Sequence, residues 1–120
     1  MKFLRSFAYA WDGLKYCFVT QLNFKIHLFL AALTIFAGIY FNISRSEWMI
    51  IAYCIGMVVI TEMLNTAIEK LADIVHQAYH PGIKLVKDIA AGAVLIAAIS
   101  SAVCGAIIFL PKLFVLIKYF

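Results

Sequence analysis

Charged residues are scarce in this chain of 120 residues. They make up 13% of the sequence, whereas apolar residues make up 66%; a soluble domain has about 25% and roughly 45–50%, respectively. A soluble protein of this length has too little interior to bury so much apolar surface. We therefore expect a single domain, residues 1–120, whose solvent is largely the lipid bilayer.

Cysteines are few and follow no recognisable pattern. Cys17, Cys54 and Cys104 are odd in number, far apart and set in apolar runs. This arrangement excludes a disulfide framework and a zinc-binding spacing. We expect the three side chains to fill space between packed helices.

Common nucleotide-binding and nucleic-acid-binding motifs are absent. There is no Walker A loop and no protein-kinase glycine loop, and the glycines of "GAVLIAAISSAVCG" (92–105) lie inside an apolar run. The net charge of +4 fits attraction to anionic headgroups or to a phosphorylated substrate. No basic stripe with interleaved aromatic residues accompanies it, so we predict no nucleic-acid partner. Asp12 and Lys15 interrupt the stretch after Arg5, which argues against a cleavable signal peptide.

The apolar residues predict an all-α membrane protein. Residues 1–24 place large apolar side chains on one side at helical spacing, which predicts an amphipathic helix in the membrane interface. Residues 26–41, 48–68 and 89–110 predict three transmembrane helices, because a bilayer core takes roughly 20 helical residues. The first span is short, and it is marginal as a bilayer span unless Lys25 snorkels and the interfacial helix continues into it.

The connections between these spans predict the topology. Residues 42–47 predict a tight polar hairpin, and residues 70–88 a longer loop with "HPG" (80–82) as its turn. The third span is rich in Gly, Ala and Ser, so we expect it to pack closely against other helices. Four basic residues precede the first span and three lie between 70 and 88, against three on the other side. This bias predicts a cytoplasmic N-terminus and a cytoplasmic 70–88 segment.

Four polar residues continue the second span towards the cytoplasm. Glu62, Asn65, Glu69 and Asp73 share an arc of roughly 80° at 100° per residue. A charge at mid-bilayer costs on the order of 2.5–3.5 kcal/mol, so these side chains should face protein or water and have partners. Glu69 and Asp73 could simply pair with nearby lysines, whereas Glu62 has no basic neighbour in its own span.

A lysine and a further carboxylate stand at the cytoplasmic mouth of the third span, at Lys87 and Asp88. Carboxylates beside a lysine suit a divalent cation with a polyphosphate, because hard oxygens hold Mg²⁺ and lysine supports phosphate charge. The residues alone thus indicate a membrane-embedded acidic site open to the cytoplasm. A noncatalytic ion or proton carrier, or an assembly subunit, would fit the same pattern.

Several stretches resemble the small prokaryotic diacylglycerol kinases, a family that includes the undecaprenol kinases. They are "EMLNTAIEKLAD" (62–73), "YHP" (79–81) and "KDIAAGAVL" (87–95), with "NFKIH" (23–27) and "FAYAWDGLKY" (7–16). The resemblance covers nearly the whole chain in the right order. It implies a homotrimeric kinase of the bacterial cytoplasmic (inner) membrane. Such an enzyme would use Mg²⁺ to transfer the γ-phosphoryl group of ATP to a membrane lipid hydroxyl, at a site shared between protomers.

The resemblance also implies residue roles by position. Glu62 matches the general base, Asn65 a supporting polar residue, and Glu69 a magnesium ligand. Nucleotide contacts are implied for six further residues: Tyr9, Asp73, Tyr79, His80, Lys87 and Asp88. His27 is interpreted only as a hydrogen-bonding residue at the interface.

Two departures from the family pattern concern metal and nucleotide binding. Gln21 stands where many members have a second, acidic magnesium ligand; its amide oxygen brings no charge, so metal affinity should be weaker unless Asp88 compensates. Ala78 stands where an acidic residue often precedes "YHP". An inactive relative of the kinases is therefore a third hypothesis. For the acceptor lipid, the residues of the segments "YHP" and "EMLNTAIE" narrowly favour undecaprenol over diacylglycerol.

Overall fold

A computed structural model describes all 120 residues as four helices joined by short connections. In chain order they are α1 (Lys2–Thr20), α2 (Leu22–Phe41), α3 (Arg45–Val75) and α4 (Pro81–Lys118). The last three are long and apolar enough to cross a membrane. This confirms the all-α prediction, with three candidate membrane-crossing helices after an N-terminal helix.

The break between α1 and α2 lies at one residue, Gln21. Its backbone is extended (φ −105°, ψ 111°), so α1 does not continue into α2. Instead, α2 begins at Leu22, ahead of the predicted start at residue 26, and contains 20 residues. At 1.5 Å per residue this is about 30 Å, the thickness of a bilayer core, so α2 needs no contribution from α1.

A compact turn joins α2 to α3, as predicted for residues 42–47. Asn42 adopts the left-handed conformation (φ 50°) that commonly ends a helix. Ser44 and Glu47 then form a reciprocal capping box: Glu47 N–H donates to Ser44 Oγ at 3.2 Å, and Ser44 N–H donates to Glu47 Oε1 at 3.0 Å. Because both ends are capped within three residues, the turn holds α2 and α3 as an antiparallel pair.

The prediction of a long loop over residues 70–88 was wrong. Helix α3 continues to Val75 and α4 begins at Pro81, so only residues 76–80 connect them. His80 caps α4 by accepting a hydrogen bond from Gly82 N–H at Nδ1, at 3.0 Å, and Pro81 occupies the first helical position, where its missing N–H costs nothing. The charged residues of this region therefore lie on helices, which fixes the direction of their side chains.

Helices α4 and α2 both pack against α3. Ala90, Val94 and Ala97 are the buried residues in the first half of α4; their small size permits the close helix approach predicted for this span. Only 13 of 120 residues are buried in one chain. So large an exposed apolar surface requires lipid or other copies of the chain to cover it.

An ion pair connects the start of α3 to the far end of α4. Lys112 Nζ lies 2.6 Å from Glu47 Oε2, and both side chains are partly buried. The hydrogen bond from Lys112 lowers the pKa of the Glu47 carboxyl, with help from the Ser44 backbone N–H. This contact holds the two helices together at the end opposite to the 76–80 loop.

Gly38→Ala is expected to destabilise the α2–α3 turn by about 1–3 kcal/mol, the usual cost of overpacking. A Cβ at Gly38 would lie 2.6 Å from the Trp48 ring and 3.1 Å from Ile43 Cδ1, so a packed aromatic side chain would have to move. The measurement is the thermal unfolding midpoint in detergent micelles. Gly13→Ala is the matched control: its Cβ meets nothing within 4 Å, and better helix propensity should raise the midpoint. A midpoint for Gly38→Ala at or above that of the unchanged chain would contradict the packing argument.

Candidate active site

The polar stripe lies on one continuous helix, because α3 is unbroken from Arg45 to Val75. Glu62, Asn65, Glu69 and Asp73 therefore follow one side of it with the angular spacing predicted from the sequence. Each of the four side chains has a different environment.

Glu62 is buried and faces a histidine of another helix. It is 4% exposed even in a single chain, and its Oε1 lies 3.3 Å from His27 Nε2 on α2. The contact between α2 and α3 thus gives Glu62 a basic partner, which its own helical span lacks. Sequence reasoning missed this contact, although His27 ends the segment "NFKIH"; its sequence position indicates only an interfacial hydrogen-bonding role.

Asn65 and Glu69 form the middle of the stripe. Asn65 Nδ2 donates a hydrogen bond to Glu69 Oε1 at 3.2 Å. Because a carboxylate only accepts hydrogen bonds, the amide nitrogen must face Glu69, which turns Asn65 Oδ1 the other way. That oxygen is buried and has no hydrogen-bond partner. A buried acceptor without a donor is rare in folded proteins, and a bound cation or a ligand donor would satisfy it.

The oxygen atoms of Asn65 and Glu69 are of the chemical type that binds magnesium. Carboxylate and amide oxygens are the hard ligands that Mg²⁺ prefers, usually with water and substrate phosphates completing the shell. No group of three His, Cys, Asp or Glu side chains is placed to hold a metal ion within one chain. The protein's contribution would thus consist of few side chains, among which the unpartnered Asn65 Oδ1 is the clearest candidate beside Glu69.

Asp73 and Lys87 join the C-terminal end of α3 to the N-terminal end of α4. Lys87 Nζ donates to Asp73 Oδ1 at 2.6 Å, and this bond lowers the pKa of the Asp73 carboxyl. The neighbouring Asp88 turns away and pairs with Lys84 one helical turn earlier, at 2.5 Å. The structure thus brings together two of the predicted nucleotide-contacting residues, Asp73 and Lys87. Lys87 and Asp88 take part in different ion pairs.

The Asp73–Lys87 pair predicts a pH response of the α3–α4 contact. Because the folded-state pKa of Asp73 is lowered, the stabilisation is present above the ordinary aspartate pKa and is lost as pH falls through the lowered value. Carboxyl carbon NMR of labelled aspartates in micelles should show Asp73 titrating below an ordinary aspartate. Lys87→Met should move its pKa up towards the ordinary value, and Lys84→Met should leave it unchanged. An unaltered Asp73 titration in Lys87→Met would contradict the pairing.

Helix α1 is attached next to the stripe. The Lys70 ammonium lies 5.7 Å from the centre of the Tyr16 ring, and its interaction with Tyr16 raises the pKa of Lys70. Since Lys70 follows Glu69 directly, this contact brings the N-terminal helix close to Glu69.

The remaining predicted site residues make no hydrogen bond or ion pair with the stripe. Gln21 Nε2 donates to Thr20 Oγ1 at 3.1 Å, at the α1–α2 break. Tyr9 and Tyr79 are exposed, and His80 serves as the cap of α4. Their proposed roles in metal and nucleotide binding therefore stay predictions.

Comparisons with known proteins identify relatives of this chain. Residues 8–109 match the family described as prokaryotic diacylglycerol kinase. The chain is 43% identical over 111 residues to a diacylglycerol kinase of Synechocystis sp., covering 92% of this chain and 63% of that protein. It is 41% identical over 112 residues to the undecaprenol kinase of Bacillus subtilis, covering 93% and 91%. A diacylglycerol kinase of Helicobacter pylori is 30% identical over 95 residues, covering 79% and 74%.

The family match extends from α1 to within α4 and contains every residue of the polar stripe together with His27. Less than two thirds of the Synechocystis protein is spanned, but nearly all of the Bacillus subtilis protein is. On these grounds the chain belongs to the prokaryotic diacylglycerol kinase family of lipid kinases.

Proposed function

We propose that this chain transfers the γ-phosphoryl group of ATP to the hydroxyl group of a membrane lipid alcohol. The observation that carries the proposal is the Glu62 carboxylate, buried in an otherwise apolar segment and 3.3 Å from His27. A buried carboxylate at membrane depth is costly and marks a functional site. The kinase names of the relatives supply the reaction class.

Glu62 acts as the general base. Its carboxylate takes the proton of the lipid hydroxyl as that oxygen attacks the γ-phosphorus, and the bond from the γ-phosphorus to the bridging oxygen breaks to release ADP. His27 is a positioning residue: its Nε2 lies beside Oε1 and restricts the orientation of the carboxylate. The base is thereby held in one geometry, which proton transfer within hydrogen-bond reach requires.

Mg²⁺ would be held by Glu69 and Asn65 Oδ1, with Gln21 as a neutral oxygen ligand. When bound, it would neutralise charge on the ATP phosphates. Asn65 keeps its carbonyl oxygen free because its nitrogen is engaged by Glu69. Gln21 stands at the extended break that ends α1.

Nucleotide binding involves the cytoplasmic ends of α3 and α4. Lys87 is exposed in part and already faces a carboxylate, so it can exchange Asp73 for a phosphate oxygen. The other proposed contacts are at exposed or helix-end positions that a nucleotide can reach: Tyr9, Tyr79, His80 and Asp88.

The proposed assembly is a homotrimer in the bacterial cytoplasmic membrane, with the N-terminus and the 76–80 loop on the cytoplasmic side. The charge bias of the sequence supports the orientation. The extensive apolar surface exposed by a single chain supports association with further copies. In this arrangement the site is shared between protomers, and cytosolic ATP meets the lipid at the membrane surface.

The proposed acceptor is undecaprenol in preference to diacylglycerol. This choice rests on the "YHP" and "EMLNTAIE" segments, since the identities to the two kinds of relative are similar. Phosphorylating undecaprenol would supply a carrier lipid for cell-wall polymers, and phosphorylating diacylglycerol would serve phospholipid recycling.

The test is transfer of labelled γ-phosphate from ATP in mixed micelles, with undecaprenol and diacylglycerol offered in parallel, with and without Mg²⁺. Magnesium-dependent label in undecaprenol alone is the expected result. Label in diacylglycerol alone would keep the kinase and overturn the acceptor. No label in either, from protein shown to be trimeric, would contradict the proposed activity. Proton-coupled uptake without ATP turnover would then favour a carrier.

A further inference from the structure

Three lysines lie where α3 ends and α4 begins, and one of them, Lys70, forms no ion pair. Its ammonium lies instead 5.7 Å from the centre of the Tyr16 ring on α1. Since an aromatic ring carries no net charge, the positive charge of Lys70 is not cancelled by a direct partner. The other two lysines are each held by an aspartate, Lys84 by Asp88 and Lys87 by Asp73.

The charges of residues 69–88 balance only because Lys70 is present. This segment has three carboxylates and three lysines, and the two ion pairs neutralise four of these groups. The two groups that remain are Glu69, the proposed magnesium ligand, and Lys70. Without Lys70 the segment would present a net negative charge to ATP, which is an anion even as its magnesium complex.

Lys70 is placed beside the proposed metal ligand. It follows Glu69 directly and precedes Asp73 by three residues on the same unbroken helix, so its side chain begins within one helical turn of both. The side chain is exposed, and its four-carbon stem is flexible. Its ammonium can therefore reach an anion that is bound next to Glu69.

The side of α1 that contacts Lys70 also has a predicted nucleotide contact. Tyr9 is seven residues before Tyr16 on α1, so the two side chains differ by only about 20° around the helix and by roughly 10.5 Å along it. Because Tyr16 contacts α3 through Lys70, the side of α1 with Tyr9 is turned towards the same end of α3. Two helices thus direct nucleotide-binding chemistry to the surroundings of Lys70.

We propose that Lys70 is a further nucleotide-binding residue whose ammonium contacts a phosphate oxygen of ATP. The proposal rests on the proposed function and adds a residue to its nucleotide site. Lys87 has to release Asp73 to bind a phosphate, and Lys84 has to release Asp88. Lys70 releases only a neutral ring at an exposed site, which is a weak contact. It is therefore the lysine that turns to a phosphate at the lowest cost in free energy.

The test measures the Kd of ATP with Mg²⁺ by isothermal titration calorimetry, in micelles without a lipid alcohol so that no turnover occurs. Lys70→Met keeps the length of the side chain and removes its charge. It should raise Kd about tenfold, the scale of a lost hydrogen bond to a charged group. Lys70→Arg keeps the charge, and its Kd should stay within about threefold of that of the unchanged chain.

Lys15→Met is the matched control. Lys15 is an exposed lysine of α1 that forms no ion pair, and it lies about 100° from Tyr16 around the helix. Its substitution removes the same charge from the same region and should leave Kd unchanged. An unchanged Kd in Lys70→Met, or an equal rise in Lys15→Met, would overturn the proposal.

Tyr16→Leu separates a phosphate contact from a merely structural role of Lys70. It removes the aromatic ring and leaves the ammonium in place, so Kd should rise by no more than about threefold. If Lys70 served only to hold α1 against α3, the loss of either partner would have the same effect. A Kd for Tyr16→Leu as high as that for Lys70→Met would therefore overturn the proposal.

Steady-state kinetics provide an independent readout. In Lys70→Met, KM for ATP should rise about tenfold, whereas KM for the lipid and the oligomeric state should match those of the unchanged chain. A rise of equal size in KM for the lipid would indicate a general disturbance of the site and would overturn the proposal. If the unchanged chain neither binds ATP nor phosphorylates either lipid, the proposed function itself fails, and the role of Lys70 fails with it.

Discussion

Glu62→Gln is expected to lower kcat for lipid phosphorylation by about 10²–10⁴-fold, the range that a positioned general base contributes. The amide keeps the size of the side chain and its place beside His27, but it cannot take the proton of the attacking hydroxyl. The measurement is the initial rate of label transfer from ATP to the lipid at saturating substrates. Size-exclusion chromatography of the same sample should show an unchanged oligomer.

Glu47→Gln is the matched control for this experiment. Glu47 is another partly buried carboxylate of α3, but it pairs with Lys112 at the opposite end of the helix. Its substitution should leave kcat within about twofold of the unchanged chain. Normal turnover in Glu62→Gln would exclude the carboxylate as the base, and an equal loss in Glu47→Gln would point to a general structural effect.

Glu69→Gln is expected to reduce kcat/KM for ATP by about 10²–10³-fold at fixed magnesium, because a metal ion provides several kcal/mol of charge stabilisation. The magnesium concentration for half-maximal rate should rise at the same time. Both follow from the loss of the only carboxylate that hydrogen-bonds to Asn65, next to the unpartnered Asn65 Oδ1. A magnesium titration of the initial rate measures the two effects together.

Gln21→Glu provides the opposite change. A carboxylate would add charge at a position where the resemblance predicts a second metal ligand, so the half-maximal magnesium concentration should fall. Asp12→Asn removes an exposed carboxylate of α1 and should alter neither magnesium dependence nor rate. A magnesium response in Glu69→Gln that coincides with that of the unchanged chain would contradict the assignment of Glu69 as a ligand.

Local sequence determines the helical framework and the stripe. Apolar runs of sufficient length predict membrane-crossing helices because the cost of burying backbone polar groups in lipid leaves no alternative to a helix. The positions of Glu62, Asn65, Glu69 and Asp73 on one side follow from helix periodicity alone, and the unbroken α3 agrees with it. The turn at 42–47 is also local, since the capping box is formed by residues three apart.

The errors at helix ends have different origins in the two places. Residues 70–88 have the charged composition of a loop, yet most of them are helical. Their charges are accommodated by pairs that link turns or helices, Lys84 with Asp88 and Lys87 with Asp73, and such pairs are invisible in composition. At Gln21 the reverse applies: no Gly or Pro marks the break, and the extended conformation of one residue separates α1 from α2.

The sequence by itself thus determined that this protein is a helical membrane chain with an acidic stripe on its third helix, because periodicity and hydropathy depend on neighbours in the chain. Only the tertiary structure decided what that stripe faces. The contact of His27 with Glu62 and the pairing of Asp73 with Lys87 depend on how α2 and α4 pack against α3. That register arises from side-chain packing between residues distant in sequence, which no local pattern encodes.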